Sequence, residues 1–268
     1  MLLAFPLTHY ADAVIRAGSA ATPAELQTLV EQFRIDLGGV NNGSSGGPFT
    51  SGFRSINWDA VSDGNAAPNG LPGDSFGSSR GINLSTPGTG FLVSADSDNP
   101  TATGVRFSNI DPSYNALFQT FSAERLFAPL GSTILDISFV LPSDPETGAT
   151  VNGFGAIFAD VDLFDSASIE FRDEANNILA TVYVPPSDSG LSFLGVSFNG
   201  AERIASLTVR AGTVPMGPGI LDGGSNDLIA MDDFFFGEPI MVPEPSVAEF
   251  LGVAAGVLIV LLRIRRRN

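Results

Sequence analysis

Seven β-rich runs follow one another between residues 132 and 236: 132–140 (STILDISFV), 153–161 (GFGAIFADV), 166–172 (SASIEFR), 177–184 (NILATVYV), 190–198 (GLSFLGVSF), 203–210 (RIASLTVR) and 228–236 (LIAMDDFFF). Short turn-forming stretches separate them, and no helical period intervenes. Strands without crossover helices cannot build a parallel sheet, so the pattern predicts a mainly β fold, an antiparallel β-sandwich that is jelly-roll-like. Alternation at Ile169 and Phe171, and at Leu207 and Val209, marks strands with one buried face. Phe234, Phe235 and Phe236 are consecutive, so they must address both faces of a sheet.

Upstream, one soluble helix is predicted over 22–38: Thr22 as N-cap, Pro23 at the first helical position, and Leu26, Leu29, Val30, Phe33 and Leu37 on one face. That stripe needs a surface to dock on. A Gly, Ser and Asn tract follows at 41–47, and residues 50–104 alternate short apolar pieces with turn signals such as Pro72-Gly73, Pro87-Gly88 and Asp98-Asn99-Pro100. We therefore divide the chain into 1–13, 14–50 (helix and Gly/Ser-rich linker), 51–240 (the sandwich) and 242–268.

The last segment is of another kind. Val247–Leu262 (VAEFLGVAAGVLIVLL) carries one charge in sixteen residues, Glu249. At ~1.5 Å per residue it spans about 24 Å, a short C-terminal transmembrane helix that needs local thinning of a ~30 Å hydrocarbon core. Arg263, Arg265, Arg266 and Arg267 follow directly and orient it with the C-terminus in the cytoplasm. Just before it stands Val242-Pro243-Glu244-Pro245-Ser246, where two prolines prevent helix and hold an extended segment. This order of Pro-Glu-Pro motif, short apolar helix and terminal arginine cluster resembles the PEP-CTERM sorting signal of exopolysaccharide-producing Gram-negative bacteria. The resemblance implies recognition by an exosortase, a membrane-embedded cysteine transpeptidase, and processing near Pro243-Glu244-Pro245. It also implies inner-membrane anchoring with the body outside the cytoplasm, then release to the cell surface or matrix. The blocks INWDAV (56–61), LPGDSF (71–76), STPGTGFLVS (85–94), FSAERLFAPLGS (121–132) and GFGAIFADVD (153–162) are similar to an ectodomain that recurs among such proteins. Export needs an amino-terminal signal. Residues 1–13 lack a basic n-region, but Ala11-Asp12-Ala13 fits a small-x-small cleavage site, so they are read as the end of a signal peptide.

Composition narrows the chemistry. All 13 basic residues are arginines, and residues 1–262 set nine of them against 29 acids, a body that repels phosphate backbones and excludes nucleic acid as a partner. Cysteine is absent and His9 is the single histidine, which removes thiolate nucleophiles, zinc knuckles and any mechanism with two imidazoles. Gly77-Ser78-Ser79-Arg80-Gly81 matches the pattern of a nucleophile elbow but lacks the flanking strand, helix and base, so it reads as a turn. Asp160 and Asp162 close one strand and Asp232-Asp233 lie in the last; if the sandwich joins them, they form a Ca²⁺ site of hard oxygens. Trp58 beside Asp59 is either a sugar-stacking platform or core. These features predict a non-catalytic, exported, membrane-tethered protein whose sandwich binds glycan, exopolysaccharide in particular, or another matrix component. The competing expectation is a glycoside hydrolase or polysaccharide lyase built on an Asp and Glu pair, for which Glu170 and Glu174 are too close in sequence to be diagnostic.

Overall fold

The computed structural model describes residues 13–47, 49–199 and 203–241. In chain order the strands are β1 (Ala13–Ala20), β2 (Phe53–Ile56), β3 (Ile82–Ser85), β4 (Gly90–Val93), β5 (Phe127–Leu130), β6 (Ile134–Leu141) and β7 (Asp144–Thr150), then β8 (Gly153–Val161), β9 (Ala167–Arg172), β10 (Ile178–Tyr183), β11 (Ser187–Phe198), β12 (Ser206–Ala211), β13 (Ala230–Gly237) and β14 (Ile240–Met241). Helix α1 covers Pro23–Asp36, and two single turns, α2 (Gly77–Arg80) and α3 (Tyr114–Leu117), with a 3-10 turn at Asp63–Asn65, complete the helical content of the described residues. The first sheet runs β1-β11-β8-β13-β5-β4 with β2 also on β13, and the second runs β10-β9-β12-β6-β7-β14 with β3 on β6. Every named strand pair is antiparallel.

The mainly β, antiparallel architecture follows the sequence pattern, and the seven runs become β6 and β8 to β13. Strands β1 to β5, β7 and β14 carry no readable signal. Four of them are four residues long, shorter than a convincing alternation, and β7 (DPETGAT) is made, its two threonines apart, of residue types depleted in strands. Residues 14–50, which the sequence separates from the sandwich, supply both its edge and its cover. Strand β1 pairs along its whole length with β11, from Ala13 opposite Phe198 to Ala20 opposite Leu191.

Burial explains why β8 and β9 read so differently. All nine positions of β8 are buried, whereas β9 alternates. The first sheet is a middle layer. Its inner face sets Phe154, Phe158, Phe234 and Phe236 against Ile169, Phe171, Leu207 and Val209 of the second sheet. Its outer face carries Ile157, Phe193 and Phe235 under α1 and the segment 95–126. The three consecutive phenylalanines thus divide between the two cores, as strand alternation requires. The second sheet keeps a wet outer face, where Thr208 Oγ1 donates to Asp136 Oδ1 at 2.6 Å.

Helix α1 starts where Pro23 takes the first position and the Glu25 carboxylate reaches back to the Thr22 N–H at 3.0 Å. Its buried stripe of Leu26, Val30 and Phe33 lies on the first sheet, and burying each such side chain stabilises by about 1.5–3 kcal/mol. The bed is made of glycine. A Cβ on Gly155 or on Gly195 would stand 2.8 Å from the Phe33 ring, and one on Gly153 2.6 Å from Leu37 Cδ2.

Among the described residues, no helix is long and apolar enough to cross a membrane. The apolar run 247–262, the motif Val242-Pro243-Glu244-Pro245-Ser246, the arginines 263 and 265–267, and the signal-like residues 1–12 with His9 lie outside the described residues.

Candidate functional site

Strand β8 ends in acid. Asp160 takes φ +67°, the left-handed region that aspartate tolerates better than most side chains, and this turns its carboxylate out of the strand's alternation. It is 1% exposed, and Oδ1 accepts the N–H of Ser189 at 2.7 Å, at the irregularity of β11 between Ser187 and Leu191. One carboxylate oxygen from each of Asp160, Asp162 and Asp222 lies within 4.8 Å of the other two. Asp227, fully buried, supports this group from behind: its Oδ2 accepts the N–H groups of Asp162 at 3.0 Å and Leu163 at 2.8 Å. Asp222 is held in turn, with Oδ1 accepting the Leu228 N–H at 3.0 Å.

Desolvation and the neighbouring aspartates push Asp160 up to about 8. Asp162 rises to about 6, from burial first and then from the charges of Asp222, Asp188 and Asp227. Burial also raises Asp227. Asp160 Oδ2, Asp162 Oδ1 and Asp227 Oδ1 are buried and have no hydrogen-bond partner among the described residues.

Asp232 and Asp233 do not join this group. The register sets Ala230 opposite Ala159 and Met231 opposite Phe158, so Asp232 lies three residues along the sheet from Asp160, about 10 Å at ~3.3 Å per residue. The expected four-aspartate calcium site is therefore corrected to two separate clusters. Asp232 is fully buried, with Oδ2 accepting the Phe121 N–H at 2.6 Å. The Ser122 hydroxyl lies 2.7 Å from Asp233 Oδ1, 3.1 Å from Asp59 Oδ2 and 3.2 Å from Asp232 Oδ1. Its single proton goes to Asp233, the nearest. Burial and then the Asp233 charge raise Asp232 well above the ordinary carboxylate range, and burial raises Asp233 as well. Asp59 is raised by burial and accepts the Arg125 N–H at 3.1 Å.

Trp58 belongs to the core, which corrects its reading as a sugar platform. It is 1% exposed, its Nε1–H donates to the Asp232 carbonyl at 2.7 Å, and its ring stacks on Phe127 with centroids 4.2 Å apart. Neighbouring Asp59 is half-buried and borders an open depression with Asp96, Ser97, Asp98, Glu124 and Arg125. The exposed aromatics are elsewhere. Phe164, 63% exposed, and Tyr183, 49% exposed, stack with centroids 6.2 Å apart and planes 25° apart, and Phe164 follows Asp162 by two residues. Gly77-Ser78-Ser79-Arg80-Gly81 forms the single turn α2, closed by Gly81 in the left-handed region.

Sequence reasoning missed Asp222, Asp227, Phe164 and Tyr183. The stretch Asp222-Gly223-Gly224-Ser225-Asn226-Asp227 is oxygen-rich and turn-forming, but nothing local ties it to Asp160. Comparison with protein-family models and with curated proteins returns no match to this chain.

Proposed function

We propose that this chain is an exported, membrane-tethered and exosortase-processed protein of the cell surface or extracellular matrix, non-catalytic, with a jelly-roll-like body that binds glycan. The observation that carries this reading is the C-terminal order of Val242-Pro243-Glu244-Pro245-Ser246, an apolar run and an arginine cluster. The exposed, nearly parallel rings of Phe164 and Tyr183 support the glycan part, because a sugar's C–H face stacks on such surfaces. A binding role fits the acids better than catalysis does. Asp232 and Asp233 are sealed behind Phe121 and Ser122, and Glu170 is paired with Arg172 on the same strand.

The test is fractionation of the native host followed by detection of the body. We expect the chain in the envelope and a shorter matrix form that disappears when Glu244 is replaced by Ala. A full-length chain found soluble in the cytosol would sink the proposal. Glycan-array binding by the full-length chain in micelles then tests the ring pair: Phe164→Ala and Tyr183→Ala should each abolish it.

A further inference from the structure

We propose that Asp160, Asp162 and Asp222 bind one divalent cation, Ca²⁺, at the end of β8, independently of where the protein is sorted. Elsewhere buried Glu238 and the partly buried Asp63, Asp96 and Asp36 meet a cation of the chain, while buried Asp232 and Asp233 meet the Ser122 hydroxyl instead. Glu238 meets Arg54 at 2.7 Å, Asp63 and Asp96 meet Arg125 at 2.6 and 2.5 Å, and Asp36 meets Arg16 at 2.7 Å. Among the described residues no ion pair reaches Asp160, Asp162, Asp222 or Asp227. Convergence alone would not make a site, since like charges also gather on surfaces. Here one member is sealed: Asp160 is 1% exposed, with Oδ1 used by Ser189 and Oδ2 left without any donor. A buried carboxylate oxygen with no donor is offset by a proton or by a bound cation, and the convergence of Asp162 and Asp222 on the same point favours the cation.

The donor set selects the metal. Every candidate ligand atom is a carboxylate oxygen, the chain has no cysteine, and its one histidine is His9, far from this end in sequence, so soft and borderline metals lack their ligands. Oxygens within 4.8 Å of one another are near enough to share one hard cation, and Ca²⁺, with its flexible coordination, accepts a looser cage than the near-ideal octahedron that Mg²⁺ demands. The ligands come from the end of β8, the turn after it and the separate loop at 222, an irregular cage of the kind Ca²⁺ accepts. Backbone donors from Ser189, Asp162, Leu163 and Leu228 already orient Asp160, Asp227 and Asp222, so the cage is held by an outer layer of hydrogen bonds. Waters and backbone carbonyls complete the six to eight oxygens that Ca²⁺ takes.

The experiment is calorimetric titration of CaCl₂, and separately MgCl₂, into the full-length chain in micelles after chelator treatment, with melting curves in parallel. Ca²⁺ should bind at one site, more tightly than Mg²⁺, and raise the melting temperature progressively with concentration. Asp222→Asn keeps an acceptor for the Leu228 N–H, so the metal-free variant should melt close to the parent while Ca²⁺ affinity falls about tenfold or more. Asp173→Asn, in the β9–β10 turn, should leave affinity unchanged. Absence of binding heat and of any melting shift overturns the proposal. So does Ca²⁺ binding that Asp222→Asn leaves intact, or that Asp173→Asn weakens equally, because either result means diffuse association with an acidic surface.

Discussion

Gly155 and Gly195 are register partners on β8 and β11, and the ring of Phe33 rests over the gap they leave. A methyl group on either would stand 2.8 Å from that ring, and on Gly155 the Gly195 Cα would be equally near. Backbone and ring both occupy that space, so neither gives way cheaply. Gly195→Ala should destabilise by about 1–3 kcal/mol, read from the urea midpoint. In a Phe33→Ala background, itself costing about 3–5 kcal/mol, part of that penalty should vanish, the remainder coming from Phe193 Cζ at 2.9 Å. Additive losses would mean that the ring does not sit there.

Arg54 and Glu238 form a buried, two-pronged ion pair, Nε to Oε2 at 2.8 Å and Nη2 to Oε1 at 2.7 Å, with Asn42 Nδ2 donating to Oε2 at 2.8 Å. Removing one charge strands the other away from water. Glu238→Ala should cost roughly 3–5 kcal/mol in denaturant unfolding. Added salt should change the parent little, because buried charges are poorly screened. A loss under about 1 kcal/mol, the scale of an exposed pair, would contradict the burial.

Asp232, Asp233 and Asp59 all titrate above their ordinary value in the folded chain, chiefly through burial. A group raised on folding holds its proton more tightly folded than unfolded. Its stabilising contribution is complete below the unfolded value of about 3.9 and is lost as pH rises through the folded one. Metal-free protein should therefore lose stability from about pH 4 upward, by no more than about 1.4 kcal/mol per pH unit for each proton involved. Asp232→Asn retains an acceptor for the Phe121 N–H and should make that fall shallower. Urea midpoints across the range, in chelator, decide it; an unchanged slope would place the titration elsewhere.

Trp58 is the single tryptophan, sealed against Phe127 and Phe234. Its emission should be blue-shifted and weakly quenched by acrylamide in the folded chain, then shift red and become quenchable on unfolding. Saturating glycan should leave it unchanged if the proposed contact with Phe164 and Tyr183 holds. Strong native-state quenching would contradict its place in the core.

How much of this was readable from residue order depends on range. Strands β6 and β8 to β13 are legible because a pleated chain with a buried face must alternate, and one buried on both faces must not; SASIEFR and GFGAIFADV show the two cases. The stripe on α1 is legible for the same reason, but its bed is not, since Gly153, Gly155 and Gly195 become a trough only when β8 and β11 align. Trp58 has the same neighbours in sequence whether it stacks on Phe127 or on a ligand. Asp160 and Asp162 announce themselves as a pair. Their partner Asp222 arrives from sixty residues away, while strand register carries Asp232 and Asp233, the partners expected from sequence, about 10 Å along the sheet. Local periodicity is written by backbone geometry and burial, one residue at a time. Which acids and rings meet is decided by how three layers stack, because the contacts that set register join segments far apart in the chain.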